Sequence, residues 1–171
     1  MKRKTARAVA LAAGLLLAAA SLSAKTIEYS EKDPAFTFTI PDGWTTEKGR
    51  DGRIFCTAED GFKIALSASE RITNADEAKA LLVKMVKNMA EVMKCEDYKP
   101  GNVHARNLRN MWMSVMRGRC KSEGVDMSLN AVVFSLSPGK YFSLVGAAPT
   151  TLDKAHDKDM DELIRSIKAV E

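Results

Sequence analysis

Residues 36–44 read Phe-Thr-Phe-Thr-Ile-Pro-Asp-Gly-Trp, and no other stretch restricts the fold as much. Phe36, Phe38 and Ile40 are two apart, so on a strand they share one face while Thr37 and Thr39 take the other. Pro41 ends the ladder because it has no N–H to donate. Asp42-Gly43 supplies a turn. Trp44 then follows a sharp change of direction that lets it fold back over the same apolar face. The stretch predicts the entry strand of one small α+β domain, with the rest of the chain packed around it.

The 171 residues are enough for one domain with a real core. Residues 1–24 are set apart. Lys2, Arg3, Lys4 and Arg7 precede an uncharged apolar run over 8–20, and Ser21, Leu22, Ser23 and Ala24 offer small residues for cleavage. That is the pattern of a secretory signal peptide, cleaved after Ala24, or after Ser23 with Ser21 at the −3 position. The alternative is an uncleaved anchor helix, but the uncharged run stops at Lys25, short of the ~20 clearly apolar residues a span needs. The first cysteine is Cys56, so the run carries no lipidation site. Residues 25–171 are then one domain, periplasmic or secreted.

Removing the leader changes the electrostatics. The chain has 26 basic and 22 acidic side chains; without the four basic residues of the leader the two signs balance at 22 each. The basic character belongs to the leader. It gives no reason to expect nucleic acid as a partner, nor stable membrane insertion once the leader is gone.

Along the mature chain, residues 26–30 alternate as a short first strand, and 48–52 are a polar loop. Residues 53–59 and 62–69 are two strands around Asp60-Gly61, a strong hairpin signal. Asn74 with Glu77 three residues on resembles a capping box. Ala78, Leu81, Leu82, Met85, Val86, Met89, Val92 and Met93 then recur at three and four, the stripe of an amphipathic helix of about five turns. Residues 103–108, 111–120, 125–136 and 141–148 form an antiparallel meander with turns at Arg109-Asn110, Glu123-Gly124 and 137–139. Pro149 closes the last strand, and Thr150 is placed to cap a final helix with Leu152, Ala155, Met160, Leu163, Ile164 and Ile167 on its apolar face. The order predicts a largely antiparallel sheet flanked by two amphipathic helices.

The motif Phe-x-Phe-x-Ile-Pro-Asp-Gly-Trp at 36–44 resembles the opening of the PsbP-like α/β/α sandwich family. The far end agrees: Tyr141-Phe142-Ser143-Leu144-Val145, then Pro149, then a helix ending Ile164-Arg165-Ser166-Ile167 is similar to the family's last strand and closing helix. The resemblance implies the sandwich fold and a habit of acting through protein–protein contacts. It carries over no residue of a manganese, Ran or photosystem site.

Candidate chemistry is sparse. The chain has two histidines, His104 in a strand and His156 in the run Asp153-Lys154-Ala155-His156-Asp157-Lys158-Asp159-Met160-Asp161. On a helix Asp153, His156 and Asp157 share a face at metal-ligand spacing. The plainer reading is a solvated charged face whose acids sit near a helix N-terminus. No G-x-S-x-G elbow, H-E-x-x-H, P-loop or G-x-G-x-x-G occurs. A hydrolase here needs a site outside known motifs, built on a pocket with perturbed acids. Methionines at 85, 89, 93, 111, 113, 116 and 127 suggest Cu(I) handling as a second alternative. That requires Met113 and its neighbours to cluster where solvent reaches them. Met111 and Met113 share a strand face that Met116 does not, and the helix trio lies on the apolar stripe, so core packing is the simpler role. The expected function is a non-catalytic extracytoplasmic module, without cofactor, that binds an envelope or secreted protein.

In an oxidising compartment two of the three cysteines pair by default. With Arg109-Asn110 as a two-residue loop, Leu108 faces Met111 and counting outward sets Lys99 opposite Cys120. Cys95 closes the first helix only four residues before Lys99. A Cys95–Cys120 disulfide is expected, with Cys56 a buried thiol in mid-strand. Three free thiols, or a Cys56–Cys120 bond, are the competing arrangements.

Overall fold

In the computed structural model, which describes residues 24–29, 36–69 and 72–170, the motif strand β2 (Phe36–Ile40) is the middle of a three-stranded antiparallel sheet. It lies between β1 (Lys25–Tyr29) and β10 (Lys168–Ala169), with Ile27 opposite Phe38 and Lys168 opposite Thr37. Phe36, Phe38 and Ile40 are buried and the two threonines half-buried, as the alternation requires. The signal-peptide reading falls on residues outside those described, except for Ala24, which is exposed.

The single sheet expected from the sequence is therefore corrected to two. The cause is the turn at 41–44. Gly43 takes φ +79°, which L side chains rarely adopt, and the Trp44 N–H donates to the Pro41 carbonyl at 3.2 Å. The chain leaves the small sheet there and begins a second one. That sheet has seven strands in the order β3-β4-β5-β9-β8-β7-β6, all antiparallel. Its members are β3 (Thr45–Lys48), β4 (Ile54–Thr57), β5 (Lys63–Ala68), β6 (Glu96–Leu108), β7 (Met111–Ser122), β8 (Val125–Ser137) and β9 (Lys140–Pro149). The sequence pattern predicts neither β3 nor β10. β3 shows no apolar alternation, and β10 has two residues.

Both faces of the large sheet are covered. On one lies α1 (Ala75–Val92), resting on β6, β7 and β8. Asn74 Oδ1 accepts from the N–H groups of Asp76 and Glu77 at 3.1 and 2.9 Å. Glu77 reaches back to the N–H of Thr73 rather than that of Asn74, so the box closes one residue early. Ala78, Leu82, Val86 and Ala90, each four apart, are the buried row; Leu81, Met85, Met89 and Met93 flank it half-buried. Val92 is 83% exposed, against the stripe read from the sequence. Gly118 on β7 lets the helix come close: a Cβ there would sit 2.7 Å from Val86 Cγ1.

The other face carries the small sheet and the closing helices. Phe36 meets Phe134 and Phe142 edge-on, those two rings stack on each other, and Tyr29 stacks on Phe36 at 4.9 Å. The expected final helix is broken into α2 (Thr150–Ala155) and α3 (Asp157–Ser166) at His156. Pro149, not Thr150, holds the N-cap position, and no side chain caps it. Leu163, Ile164 and Ile167 enter the core, while Ser166 Oγ takes the Thr39 N–H at 2.8 Å and so fastens α3 to β2. The helix layers are thus α1 on one side and the α2–α3 pair on the other, the second sharing its face with three strands.

Cys95 and Cys120 are joined by a disulfide, with Cα atoms 5.5 Å apart. The register that points to this pair is corrected in detail. Leu108 does face Met111, but β6 bulges twice, between Glu96 and Lys99 and between Pro100 and Val103. Lys99 therefore pairs with Arg119, not Cys120. Gly101 marks the second bulge, where a Cβ would lie 1.9 Å from the Arg117 carbonyl oxygen. Cys56 is a free thiol with no exposed surface, and burial pushes its pKa up to about 12.

Candidate functional site

The second layer does not reach across the whole sheet. Its three strands and two helices bury residues of β4, β5, β8, β9 and the start of β7, whereas Arg117 and Arg119 on β7 and His104 and Arg106 on β6 stay exposed. A groove runs between those strands and the α2–α3 pair. Alternation decides what lines it. On β7, Val115, Arg117 and Arg119 share the face of buried Met113, and on β6 His104 and Arg106 do. On β8 that face carries Ser128, Asn130 and Val132.

From across the groove come Asp153, Asp157 and Asp161, spaced by four along the broken helix so that they point the same way. The groove has an inner chamber of about 330 Å³ and an outer one of about 680 Å³. The inner one is floored by Ile64, Val132, Leu144, Met160 and Ile164. The outer one is edged by Lys99, His104, Arg119 and Lys154. Arg106, Arg117, Asn130, Asp153 and Asp157 border both.

The charges at this border are unequally satisfied. Arg117 Nη2 donates to Asp157 Oδ1 at 3.0 Å, an ion pair about half exposed at each end and worth little in stability. Asp161 pairs with Arg165 at 3.5 Å along the helix. Asp153 is only 7% exposed and accepts from Asn130 Nδ2 at 2.6 Å. Asn130 Oδ1 is buried and has no hydrogen-bond partner among the described residues. The amide cannot turn over to relieve it, because that would set two oxygens against each other at 2.6 Å. Arg106 rests its Nε on Met113 Sδ at 3.4 Å, and among the described residues neither Arg106 nor Arg119 has an acidic partner. Among the described residues the border thus holds one guanidinium without an acidic partner, Arg106, and a buried, oriented carboxylate, Asp153, with Arg119 on the outer edge.

The triad of Asp153, His156 and Asp157 that the helical spacing suggests is not brought together. Asp153 turns to Asn130 and Asp157 to Arg117. His156 turns the opposite way, its Nδ1 2.7 Å from Asp159 and its Nε2 2.9 Å from Asp60, and its ring stacks on Phe62 and meets Trp44 edge-on. The plainer reading, a solvated charged face, holds for Asp157, Lys158 and Asp161 but is corrected at Asp153, which is buried, and at His156, whose side chain is 12% exposed. His104 stands on the outer rim.

The methionines do not converge either. Met111 and Met113 lie buried in the core under the small sheet, whereas Met116 and Met127 lie buried beneath α1. Copper handling requires solvent-reachable sulfurs around Met113, and Met113 is enclosed. Carboxylates held below their ordinary range are Asp51, through its hydrogen bonds with Arg53; Asp60, through His156; and Glu77, through Thr73. All three stand at turns or a helix start, away from the groove.

Sequence reasoning does not find the groove. In the sequence Asn130 is only a residue facing away from Val125, Met127 and Leu129, and Arg106, Arg117 and Arg119 are only strand residues. Their common face was available from the alternation with Met113.

No family model matches the sequence, and no curated protein matches it. Solved structures do. Cyanobacterial PsbP (CyanoP) from Synechocystis sp. PCC 6803 is similar with a TM-score of 0.67 at 13% identity, over 92% of this chain and 99% of that one. LpqN of Mycobacterium tuberculosis, involved in cell envelope biogenesis, gives 0.59 at 12% identity, over 86% and 91%. The Ran-binding protein Mog1p of Saccharomyces cerevisiae gives 0.58 at 13% identity, over 88% and 97%. At such identities the likeness is one of fold, and the fold is the PsbP-like one.

Proposed function

We propose that this chain is a non-catalytic extracytoplasmic binding module, exported by the leader at 1–24 and mature from residue 25 as one domain. It takes an envelope or secreted protein in the groove between β6–β7 and α2–α3. The observation that carries this reading is the groove itself: Arg106, without an acidic partner among the described residues, and the buried, oriented Asp153 carboxylate border an apolar floor, with Arg119 on the outer edge. Such a surface suits recognition rather than reaction. No nucleophile with an adjacent base lines it among the described residues, since Ser128 donates to Thr150 and the one free thiol, Cys56, is buried in the core.

Three further points support the reading. A disulfide and a leader-like segment both fit an oxidising compartment. Among the described residues no helix is long and apolar enough to cross a membrane. Mog1p, of the same fold, is a Ran-binding protein, which favours protein contacts by analogy alone.

The test is crosslinked affinity capture from the envelope fraction with wild-type protein and with the Arg106→Glu/Arg119→Glu double variant. Both side chains lie on the exposed strand face, so folding should survive. The expected result is a partner whose capture drops at least tenfold in the variant. Undiminished capture of the same partner refutes the groove as the site. Turnover of a substrate that disappears in Asp153→Asn refutes the non-catalytic role.

A further inference from the structure

We propose that the border between the two chambers binds a primary ammonium next to an apolar side chain: Asp153 takes the ammonium, the inner chamber takes the side chain, and Arg106 takes the adjoining carboxyl group, a carboxylate in a free amino acid and a peptide carbonyl oxygen at an amino terminus. The ligand is a free apolar α-amino acid or the amino-terminal residue of a peptide. This inference rests on the reading of the groove as a recognition site and specifies what it recognises.

Asp153 is the starting point. A carboxylate offers about four lone-pair positions, and Asn130 Nδ2 fills one of them. The residue is 7% exposed, and its remaining surface opens on the groove, where it borders both chambers. A buried charge calls for a charged or multiply donating partner. Asn130 holds the carboxylate at 2.6 Å and leaves its own Oδ1 buried without a partner, so the amide's hydrogen bonding goes to fixing Asp153 rather than satisfying itself. Asn130 is a positioning residue here. An ammonium, with three donors and no acceptor, complements the carboxylate it presents.

The inner chamber decides what the ammonium is attached to. Its floor is aliphatic, from Ile64, Val132, Leu144 and Ile164, with the thioether of Met160 and the ring of Phe62 completing the wall. Gly146 keeps it open, since a Cβ there would press to 3.1 Å on Ile64 Cγ2. About 330 Å³ is the small end of ligand pockets and suits one aliphatic or thioether side chain with its backbone. Arg106 borders the same space with no acidic partner among the described residues, and a guanidinium binds a carboxylate through two parallel hydrogen bonds. Arg117 beside it is already engaged by Asp157. A guanidinium, a carboxylate and an apolar recess bordering one chamber match an α-amino acid and not a simple anion, which Asp153 would repel.

Isothermal titration calorimetry of the purified protein tests this with four probes: L-leucine, L-leucyl-glycine, L-leucinamide and N-acetyl-L-leucine. Saturable binding is expected for at least one of the first two, and a loss of at least tenfold for N-acetyl-L-leucine, which lacks the ammonium. Tighter binding of L-leucine than of leucyl-glycine and leucinamide assigns a free amino acid; the reverse order assigns a peptide amino terminus. Asp153→Asn should abolish binding of every probe. Arg106→Gln, on the exposed strand face, should weaken L-leucine at least fivefold and leucinamide little. It keeps the test open if Asp153→Asn does not fold. No saturable heat from L-leucine or leucyl-glycine, equal binding of N-acetyl-L-leucine, or a leucine affinity unchanged in both variants overturns the proposal. A protein that captures its partner through Arg106 and Arg119 yet gives no heat with these probes overturns this inference alone. One that binds L-leucine and captures nothing overturns only the protein-binding role.

Discussion

His156 Nε2 lies 2.9 Å from Asp60 Oδ2, joining the break between α2 and α3 to a hairpin turn 96 residues earlier in the chain. The imidazole is held at its other nitrogen by Asp159, stacked on Phe62 at 4.6 Å and met edge-on by Trp44. The motif tryptophan, the β4–β5 hairpin of the large sheet and the closing helices therefore share one contact point. The junction positions the groove, because Phe62 and α3 form its inner wall.

That contact makes stability pH-dependent. Burial disfavours the imidazolium, but hydrogen bonds to Asp159 and Asp60 outweigh it and hold the His156 pKa above the ordinary histidine value. The folded state then binds the proton more tightly than the unfolded chain. This contribution is full below about pH 6.5 and is lost as the pH rises through the raised folded value. Asp60 behaves conversely. Its hydrogen bond with His156, followed by that from the Phe62 N–H, lowers its pKa, so its contribution is lost as the pH falls through the depressed value. The window between the two is where both act. His156→Gln should lower Tm by several degrees at about pH 5.5 and by clearly less at about pH 9. Thermal melts at the two pH values check it; an equal loss at both refutes the ionic account.

Gly118 should tolerate no side chain. A Cβ would lie 2.7 Å from Val86 Cγ1 and 3.1 Å from Tyr98 Cε2, in a helix–sheet interface that is otherwise filled. Gly118→Ala should cost about 1–3 kcal/mol by overpacking. Val86→Ala removes the obstructing methyl groups at a cost of its own, so the double variant should be more stable than the two single losses added together. Urea unfolding of all four proteins gives the coupling energy, and strict additivity would disprove the contact.

On α1 the sequence and the structure disagree at one residue, and a substitution separates them. The stripe of threes and fours includes Val92, yet the helix ends there and its side chain is 83% exposed. Val92→Lys should change stability by no more than about 0.5 kcal/mol, whereas Leu82→Ala, in the buried row, should cost about 2–5 kcal/mol. Chemical denaturation of the two variants decides it.

What was legible from the sequence was local. The face of Phe36, Phe38 and Ile40, the Asn74 cap, and the two-residue turns at Arg109-Asn110 and Glu123-Gly124 depend on neighbours within a few positions. So does the opposition of Met113 and Met116 across β7. The two-sheet division was not legible: the Asp60-Gly61 turn pairs β4 with β5, but nothing in the alternation of β2 says that its partners are β1 and β10. The bulges in β6 were hidden for a related reason. Gly101 is demanded by the Arg117 carbonyl, which the chain reaches only once β6 and β7 have paired. The groove was least visible of all. Asp153 reads as a surface acid of a charged helix, and it is buried because Asn130, 23 residues earlier, waits on β8 to hold it.

The cysteines provide the last prediction. Cys95 follows α1, where Lys94 takes φ +51° and turns the chain back toward the sheet, and the Cys95 N–H bonds the Ala90 carbonyl at 2.9 Å. Cys120 lies on the α1 side of β7, packed with Met116 and Met127. The bond between them ties the end of the helix to the sheet it covers, at a point where Ser122 Oγ also donates to the Met93 carbonyl at 2.8 Å. Closing a separation of 25 residues should stabilise the fold by about 3.5 kcal/mol on the chain-entropy model. A Cys95→Ser/Cys120→Ser variant should lose most of that and still fold, since the α1 interface is otherwise intact. Cys56 is a different case. It is buried in the other core, and its thiol, with a pKa pushed up to about 12, yields almost no thiolate at neutral pH. Native, unreduced protein should therefore take up no iodoacetamide; unfolded without reductant it should take up one equivalent, at Cys56, and after reduction three. Peptide mapping of the unreduced protein should show Cys95 linked to Cys120. A Cys95 peptide released as a free thiol, or linked to Cys56, would show that α1 is not fastened to β7 in this way.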